Sequence, residues 1–366
     1  MAYTTIDDPS AYFQIATYTG DGNDDRAITN DGNSNLQPDL IWFKNRSTTN
    51  QHNLLDSTRG VTKRLRPDDD SAEATVSTRL KSFDSDGMTI STDPSVNGDG
   101  NSIVAWQWKA NGGTTTTNDA SATGVGSIDS VYQANTTAGF SIVTYTGTGS
   151  AGTIAHGLGV KPSVIIIKAR TEPTGGVHFG SDQGNWIVYH QGTASDPETD
   201  LLLLNENNAV SDSTGHMNDT APTTSVFTIN TNVDVNESSD TYVAYCFAEK
   251  QGYSKFGNYT GNGNADGAFV YLGFKPALII VKATDTDNWR MYDHKRANAH
   301  NVIDVRIIAD DNAAESQDDN ECDFLSNGVK FRSSSGGVNS SGQAYTYMAW
   351  AEHPFVSSKG VPVTAR

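Results

Sequence analysis

Short apolar runs separated by turn-forming residues recur along the whole chain, whereas the spacing of an amphipathic helix is nearly absent. Three of these runs share one form: a proline, one residue of variable type, four apolar residues and a lysine. They occupy residues 38–44, 162–168 and 276–282. Such Ile- and Val-rich runs are typical of strands buried on both faces, and proline is tolerated at the first position of a strand. The pattern therefore predicts an all-β protein.

These runs belong to an internal repeat that occurs three times. Each copy opens with Tyr-Thr-Gly-x-Gly, beginning at Tyr18, Tyr145 and Tyr259. An Asn-Trp pair ends at Trp186 and at Trp289, and the corresponding segment of the first copy, 53–56, lacks it. A Phe-x-Ser-x-Gly element occurs at 83–87 and 324–328. Each copy closes with an aromatic segment, at 103–108, 242–249 and 345–352. Landmarks that recur in one order predict three copies of one folding unit.

The repeat predicts three tandem antiparallel β-sandwich modules of jelly-roll type, with less than about a tenth of the residues in helices. The expected boundaries are a first module at 1–110, which has diverged most and is a possible docking module, a polar Gly/Thr/Ser linker at 111–134, a second module at 135–255, a third at 256–356 and a tail at 357–366. The linker composition cannot bury a core, so we expect a lone first module and a tighter pair behind it.

Charge and composition exclude several classes of function. The formal net charge is −18, which repels the phosphates of nucleic acids and anionic lipid surfaces. No run approaches the roughly 18 apolar residues of a membrane span, and the first residues do not resemble a signal peptide. Two cysteines, Cys246 and Cys322, are too few for a disulfide scaffold. We therefore expect no nucleic-acid partner, no membrane insertion and no export by a signal peptide.

No motif makes a positive case for an enzyme or a cofactor. Gly147-x-Gly149-x-x-Gly152 matches a dinucleotide fingerprint, but no helix is predicted after it to receive a pyrophosphate. The spacing Asn262-x-Asn264-x-Asp266 matches half of a calcium loop, but position twelve is Gly273 instead of glutamate. A looser calcium site in a β-loop is the one cofactor alternative. We expect the six tryptophans to pack in the core rather than to stack on sugars.

Several strings resemble a module recurrent in structural and tail-fibre-like virion proteins of marine bacteriophages. They lie at 138–152, 242–249, 252–257 and 349–355, and the likeness extends over nearly the whole chain. The resemblance implies a component of the virion, made in the cytoplasm of the bacterial host, whose partners are other phage virion proteins. It also implies association as a homotrimer, for which the residues themselves give no argument. It supplies no catalytic, metal or cofactor-binding residues.

Three functions remain open at this point. The first is a fibre or adhesin that contributes to host attachment by binding a glycan or protein of the cell surface. The second is a capsid-bound decoration or head-fibre protein, because the chain is short for a complete tail fibre. The third is a carbohydrate-degrading depolymerase, which would need paired carboxylates across a groove.

Recognition is expected in the loops that do not recur among the copies, because a rigid scaffold leaves such loops free to vary. These loops are 171–184, 191–200, 212–220 and 309–321. Within them the candidate recognition residues are Glu172, His178, Asp182 and His216. We expect substitution of His178 or His216 to leave stability nearly unchanged.

Overall fold

The computed structural model describes residues 4–172, 184–296 and 301–354, with the backbone alone at 318–320. Within these residues the protein has 27 strands, five α-helices of four residues each and one short 3-10 helix. The prediction of an all-β protein is confirmed. None of the described helices is long and apolar enough to cross a membrane.

The first module (residues 4–110) contains two sheets with a core between them. Its elements are the 3-10 helix Pro9–Ala11, β1 (Phe13–Thr19), β2 (Arg26–Thr29), β3 (Leu40–Asn45), β4 (Asn53–Asp56), β5 (Lys63–Arg64), β6 (Ala74–Thr75), β7 (Leu80–Asp84), β8 (Gly87–Ile90), α1 (Pro94–Asn97) and β9 (Ser102–Trp108). The main sheet has the order β1-β9-β3-β4, the smaller one has the order β2-β8-β7, and β5 pairs with β6.

The second module (residues 111–253) has its own main sheet, in which the four strands equivalent to those of the first module are flanked by two further strands on each side. Its elements are β10 (Thr116–Asn118), α2 (Ala120–Thr123), β11 (Ser130–Asn135), β12 (Phe140–Thr146), β13 (Gly152–Ala155), β14 (Val164–Ala169), β15 (Ile187–His190), β16 (Asp200–Leu203), β17 (Ser211–Asp212), α3 (Thr214–Met217), β18 (Val226–Ile229), α4 (Val233–Asn236) and β19 (Thr241–Phe247). The main sheet has the order β10-β11-β12-β19-β14-β15-β16-β17, and β13 pairs with β18.

In the third module (residues 254–354), the strands equivalent to the main sheet and to the smaller sheet of the first module form one continuous, curled sheet. Its elements are β20 (Ser254–Thr260), β21 (Phe269–Tyr271), β22 (Phe274–Ala283), β23 (Arg290–Asp293), β24 (Ile303–Ile308), β25 (Ser316–Leu325), β26 (Gly328–Phe331), α5 (Gly336–Asn339) and β27 (Ala344–Pro354). The strand order is β20-β27-β22-β23-β24-β25-β26-β21. Antiparallel pairing of β1 with β9, of β12 with β19 and of β20 with β27 places an equivalent pair of strands in all three modules.

The segment 111–134, expected to be an extended linker, is instead part of the second module. Strand β11 pairs with β12 from Ser130 opposite Tyr145 to Asn135 opposite Phe140. The side chain of Gln133 is buried and accepts hydrogen bonds from the backbone N–H groups of Asn111 and Gly113. The linker prediction was wrong because a polar segment that buries little apolar surface still supplies backbone donors and acceptors to a sheet edge.

The lysine-bounded strands are buried on both faces, and the two faces contact different cores. In β3, Ile41 and Phe43 point into the core of the first module, whereas Leu40 and Trp42 point into a second core. Strand β14 divides in the same way, with Ile165 facing its own module. The alternation follows from the two-residue period of a strand. The second core is shared by the three modules, and we call it the central core.

An aromatic triangle lies at the middle of the central core. Trp108, Phe247 and Trp350 occupy equivalent positions, since each is paired with the apolar residue that lies four positions before the buried lysine of the strand opposite it. Their ring centroids lie 5.3 Å apart for Trp108 and Trp350, 5.5 Å for Phe247 and Trp350, and 6.5 Å for Trp108 and Phe247. Each module thus places one ring against the rings of both other modules.

The modules contact one another in a closed cycle. In each interface a backbone N–H of one module donates to a carbonyl two residues beyond the buried lysine of the next module. The three bonds run from Glu73 N to Arg170 O, from Val210 N to Thr284 O and from Glu315 N to Arg46 O, at 2.8, 2.9 and 2.9 Å. The first module therefore contacts the second, the second contacts the third and the third contacts the first. The expectation of a lone first module was wrong, because its main sheet has an apolar second face that only the other modules cover.

Two of the three interfaces contain a partly buried ion triad. Glu73 bridges Arg59 of its own module and Arg170 of the second module, with both contacts at 2.9 Å. Burial would raise the pKa of Glu73, but hydrogen bonds and charges from the two guanidinium groups hold it below its usual value. The triad therefore favours the ionised carboxylate and ties the two modules together.

The third and first modules repeat this arrangement, and the remaining interface does not. Glu315 contacts Arg296 at 2.9 Å and Arg46 at 2.7 Å. In the interface between the second and third modules the equivalent positions are Thr193, Val210 and Thr284. Uncharged side chains thus take the place of the triad at one interface, so the cycle itself does not require the charges.

Indole N–H groups also cross the interfaces. Trp186 donates to the carbonyl of Arg66 in the first module at 2.7 Å, and Trp289 donates to the carbonyl of Leu203 in the second module at 2.7 Å. In the first module His52 stands at the equivalent position, and its Nε2 lies 3.1 Å from the carbonyl of Ile308. Burial of Trp186 and Trp289 agrees with the expectation that these side chains pack in the core.

We predict a graded loss of stability at Trp289. Trp289→Ala removes a fully buried ring and should lower the free energy of unfolding by about 3–5 kcal/mol. Trp289→Phe keeps most of the apolar contact, loses the N–H donor and should cost about 1–2 kcal/mol. Urea denaturation of both variants provides the measurement. Val160→Ala, at an exposed side chain, is the control and should stay within about 0.5 kcal/mol. Equal effects of the two Trp289 variants would contradict the prediction.

Candidate functional site

Of the four predicted recognition residues, the structure describes Glu172 and His216, and it places one at the surface and the other in the interior. Glu172 is exposed just after β14. His178 and Asp182 lie outside the described residues. The loop 309–321 holds Glu315 in the interface with the first module, and Ala309 is buried. This loop was predicted to be a free recognition loop, but the interface occupies it.

His216 was also predicted to be a surface residue, and this was wrong. It lies in α3, its side chain is only 1% exposed, and its Nδ1 is 2.8 Å from the hydroxyl oxygen of Ser213. The backbone N–H of Asn230 donates to the carbonyl of His216 at 2.7 Å. Burial lowers the pKa of His216 to about 4, so the imidazole is neutral at pH 7. The short helix turns this side chain inward, which a single histidine in a polar stretch does not reveal.

Three buried lysines are the most unusual ionisable groups of the protein. Lys44, Lys168 and Lys282 close the three apolar strands, and burial lowers the pKa of each to about 8. Their ammonium groups donate to backbone carbonyls, such as that of Asn50 at 2.8 Å and that of Asp285 at 2.9 Å. Because all three side chains are inaccessible to solvent, they organise loops and do not form a site for a substrate.

Two acids beside these lysines have perturbed pKa values for the same reason. Burial raises the pKa of Asp68 and of Asp310 to about 7. Asp68 accepts from the backbone N–H of His52, and Asp310 accepts from the backbone N–H of Trp289. Both carboxyls therefore fix the backbone next to an interface contact. Perturbed pKa values mark functional sites in many proteins, but structural networks produce them too.

In the loop that matches half of a calcium-binding motif, the side-chain amide of Asn339 bonds to the oxygens that would bind the ion. The side-chain N–H groups of Asn339 donate to Asn262 Oδ1 at 2.9 Å and to the carbonyl of Asn264 at 2.8 Å. Asn97 makes the equivalent bonds to Asp21 and Asn23 in the first module. In the described part of the chain, no group of three or more His, Cys, Asp or Glu side chains is arranged to hold a metal ion. These loops are closed by asparagine donors on the oxygens that a cation would need.

Two exposed aromatic side chains stand out on the surface of the third module. Phe269 and Tyr271 lie on the same face of β21 and are 45% and 50% exposed, while Val270 between them is buried. Residues i and i+2 of a strand are roughly 6.8 Å apart. We call Phe269 and Tyr271 the aromatic pair. The two rings present an apolar face that water leaves readily when a ligand covers it.

The aromatic pair is held by its neighbours rather than left mobile. Phe269 lies opposite Lys330 and Tyr271 lies opposite Gly328 in the pairing of β21 with β26. Lys255 Nζ lies 5.2 Å from the centroid of the Tyr271 ring and donates to the Tyr271 carbonyl at 2.7 Å. A cation over a ring and a paired backbone fix the ring in place. The surface beside the rings also carries an ion pair between Lys330 and Asp266 at 2.7 Å.

Comparison of the three copies identifies the aromatic pair as specific to the third module. Val270 occupies the place of Ile28 and Ile154, since each is buried and Val270 pairs with Val329 as Ile28 pairs with Met88 and Ile154 with Phe227. The flanking positions are Ala27 and Thr29 in the first module, and Thr153 and Ala155 in the second. Only the tryptophans were weighed as stacking residues, so the pair was missed. Alignment of the short strands at these three buried residues would have found it.

A family model described as Domain of unknown function (DUF7483) matches residues 8–354. The chain belongs to this family, and the single match extends through all three modules. No curated protein matches the chain.

We predict that His216 contributes to stability in a pH-dependent way. Its folded-state pKa lies below the value of about 6.5 of an unfolded histidine, so its contribution is complete above pH 6.5 and is lost as the pH falls toward 4. His216→Ala should therefore lower the free energy of unfolding by about 2 kcal/mol at pH 7. Urea denaturation at pH 7 and at pH 4.5 should show the difference from wild type shrinking with acidification. A variant within about 0.5 kcal/mol of wild type at pH 7 would restore the surface interpretation.

Proposed function

We propose that this protein is a structural component of a bacteriophage virion, of the fibre or adhesin type, and that it binds a glycan of the host surface through the aromatic pair. The resemblance of the repeat to virion proteins of marine phages supports the proposal that the chain is a component of the virion. The aromatic pair is the observation that supports binding. Phe269 and Tyr271 account for two of the three large apolar side chains that are exposed in the described residues.

A glycan suits this surface better than a protein partner. The pair is small and flat, and each ring can cover the C–H face of one sugar, so neighbouring sugars of one chain can contact both. Lys255, Lys330 and Asp266 beside the rings supply charged donors and acceptors for hydroxyl groups. A stable protein interface needs roughly 800 Å² on each partner, which a pair of side chains does not provide.

The architecture supports presentation of such a surface on a rigid body. Strand β21 is the last strand of the curled sheet of the third module, and its partner β26 leads through that sheet to the strands of the central core. A ligand that contacts the pair therefore meets a surface already ordered before binding. Preorganisation of this kind reduces the entropy lost on association.

A capsid-bound decoration is the second candidate, and one observation favours it. The three modules close on one another around the central core, so the described residues contain no extended shaft. A homotrimer on the particle remains a proposal for either candidate. The cycle of modules means that a single chain already provides three similar faces around one centre.

The aromatic pair gives a direct test of glycan binding. The double variant Phe269→Ala, Tyr271→Ala should lose at least about tenfold in affinity, if each ring contributes to sugar binding on the order of the 1–3 kcal/mol that aromatic rings contribute to the stacking of nucleic-acid bases. The probe is an array of bacterial surface polysaccharides, and the wild-type protein should bind a subset of them. Val160→Ala, which changes an exposed apolar side chain of the second module, should bind like wild type. Unchanged binding by the double variant would refute the role of the pair.

The location on the particle needs a separate measurement. Intact virions labelled with an antibody to this chain and imaged by cryo-electron microscopy should carry label at the tail if the chain is a fibre component. Label distributed over the capsid would support the decoration instead. Absence of label from purified particles that are shown to be intact would contradict the virion assignment.

A further inference from the structure

Arg64 in the first module has a guanidinium group without a partner among the described residues. It lies in β5 and is 7% exposed. Its side chain forms no ion pair or hydrogen bond with any described group, and its Nε is shielded from solvent. An arginine stays charged in a protein, and a buried charge without a partner costs free energy. The fold therefore contains one cation that an anion would stabilise.

The end of this guanidinium group is open to solvent. Of the three side-chain nitrogens of Arg64, only Nε is both shielded and unpaired, so the two terminal nitrogens keep contact with water. The side chains of the neighbouring Arg66 and Arg79 are 27% and 15% exposed. A ligand can therefore reach the terminal N–H groups of Arg64 from the solvent.

The charges around Arg64 leave an excess of one positive charge. Burial, and after it the charges of Arg66 and Arg79, lower the pKa of Arg64 to about 10. Asp69 pairs with Arg66 at 3.0 Å, and Asp93 pairs with Arg79 at 3.2 Å. Three positive charges thus lie beside two negative charges. The two acids compensate the two outer arginines and leave Arg64 uncompensated.

Both acids are held in place by other groups. Asp69 accepts hydrogen bonds from the Gln51 side chain at 2.7 Å and from the backbone N–H of Ser71 at 3.0 Å. Asp93 caps α1 and accepts from the backbone N–H of Ser95 at 2.9 Å. Neither carboxylate can turn toward Arg64 without losing these bonds. The two acids therefore do not supply the missing anion.

The third module has an arginine at the position equivalent to Arg64, and this arginine is paired. It is Arg306, because the next residues, Ile307 and Leu65, pair with equivalent residues of β23 and β4. Arg306 donates to the carboxylate of Glu321 at 3.1 Å. A carboxylate is thus the group that the fold places beside this arginine.

Arg79 stands where the third module has Glu321. The carbonyl of Arg79 accepts from the backbone N–H of Ser91 at 2.8 Å, and the carbonyl of Glu321 accepts from that of Arg332 at 2.9 Å. The first module therefore has a second arginine in place of the carboxylate that pairs with Arg306. An arginine–carboxylate pair in one module corresponds to two arginines in the other.

We propose that Arg64, Arg66 and Arg79 bind the carboxylate group of a small acidic ligand, which takes the place that the Glu321 carboxylate has in the third module. A guanidinium group can donate two parallel hydrogen bonds to a carboxylate. One negative charge also balances the single excess positive charge. The net charge of −18 disfavours the approach of polyanions. This inference does not depend on the aromatic pair or on the virion.

The experiment uses the full chain with isotope-labelled arginine and replaces chloride by acetate at constant ionic strength. The NMR signal of the Arg64 Nε–H group should shift and reach saturation, and the wild-type protein should melt at a higher temperature in acetate than in chloride. Constant ionic strength separates binding from general screening of charge.

Arg64→Leu is the test variant, because the second module has the buried Leu201 at the equivalent position. It should fold, weaken acetate binding at least about tenfold and melt at the same temperature in both salts. Lys161→Ala removes one positive charge at an exposed position and is the matched control that should respond like wild type.

Two further probes separate the sources of the carboxylate and the kinds of anion. Glucuronate that binds more tightly than acetate would support the proposal with an acidic sugar as the ligand, and equal binding would support it with a simple carboxylic acid. A response to sulfate without one to acetate would overturn the carboxylate assignment. An Arg64 signal that does not saturate, or an equal acetate response from Arg64→Leu, would overturn the site itself.

Discussion

The two-sided burial of the main sheets is the constraint on which the rest of the structure depends. Each lysine-bounded strand carries apolar side chains on both faces, and one module can cover only one of them. The second faces of the three modules cover each other, with Trp108, Phe247 and Trp350 in mutual contact at the middle. Apolar burial is the main favourable contribution to folding, so a single module that exposed its second face would lose much of its stability.

Some contacts between modules occur in all three interfaces, and others occur in only two. A backbone hydrogen bond after the buried lysine recurs in all three interfaces. The ion triads centred on Glu73 and Glu315 occur in two, and Val210 stands at the third. Replacement of a buried ion triad by apolar residues is often neutral or stabilising in proteins. The triads therefore distinguish two of the interfaces chemically from the third, which lacks charge.

Much of the fold could be predicted from the sequence, and the failures have physical causes. The proline, the apolar run and the lysine indicated a strand buried on both faces, and this is confirmed for β3, β14 and β22. The sequence could not show that the second face meets other modules, because periodicity reports burial and not the partner. The segment 111–134 was taken for a linker since its backbone bonding leaves no mark in its composition.

The candidate site was less predictable than the fold. His216 was expected at the surface because it lies in a segment that does not recur among the three copies, yet a short helix turns it inward. Phe269 and Tyr271 were overlooked because aromatics usually lie in cores. Their exposure follows from strand alternation around Val270, which can be read only once the buried face of β21 is known. In both cases the deciding fact is the direction of one side chain.

The central claim is that the three modules fold as one unit around a shared core. Differential scanning calorimetry of the full chain tests it most directly, by comparing the calorimetric enthalpy of unfolding with the van't Hoff enthalpy. A shared core predicts a single transition with a ratio near one. Separate transitions, or a ratio near three, would mean that the modules unfold independently and would contradict the account.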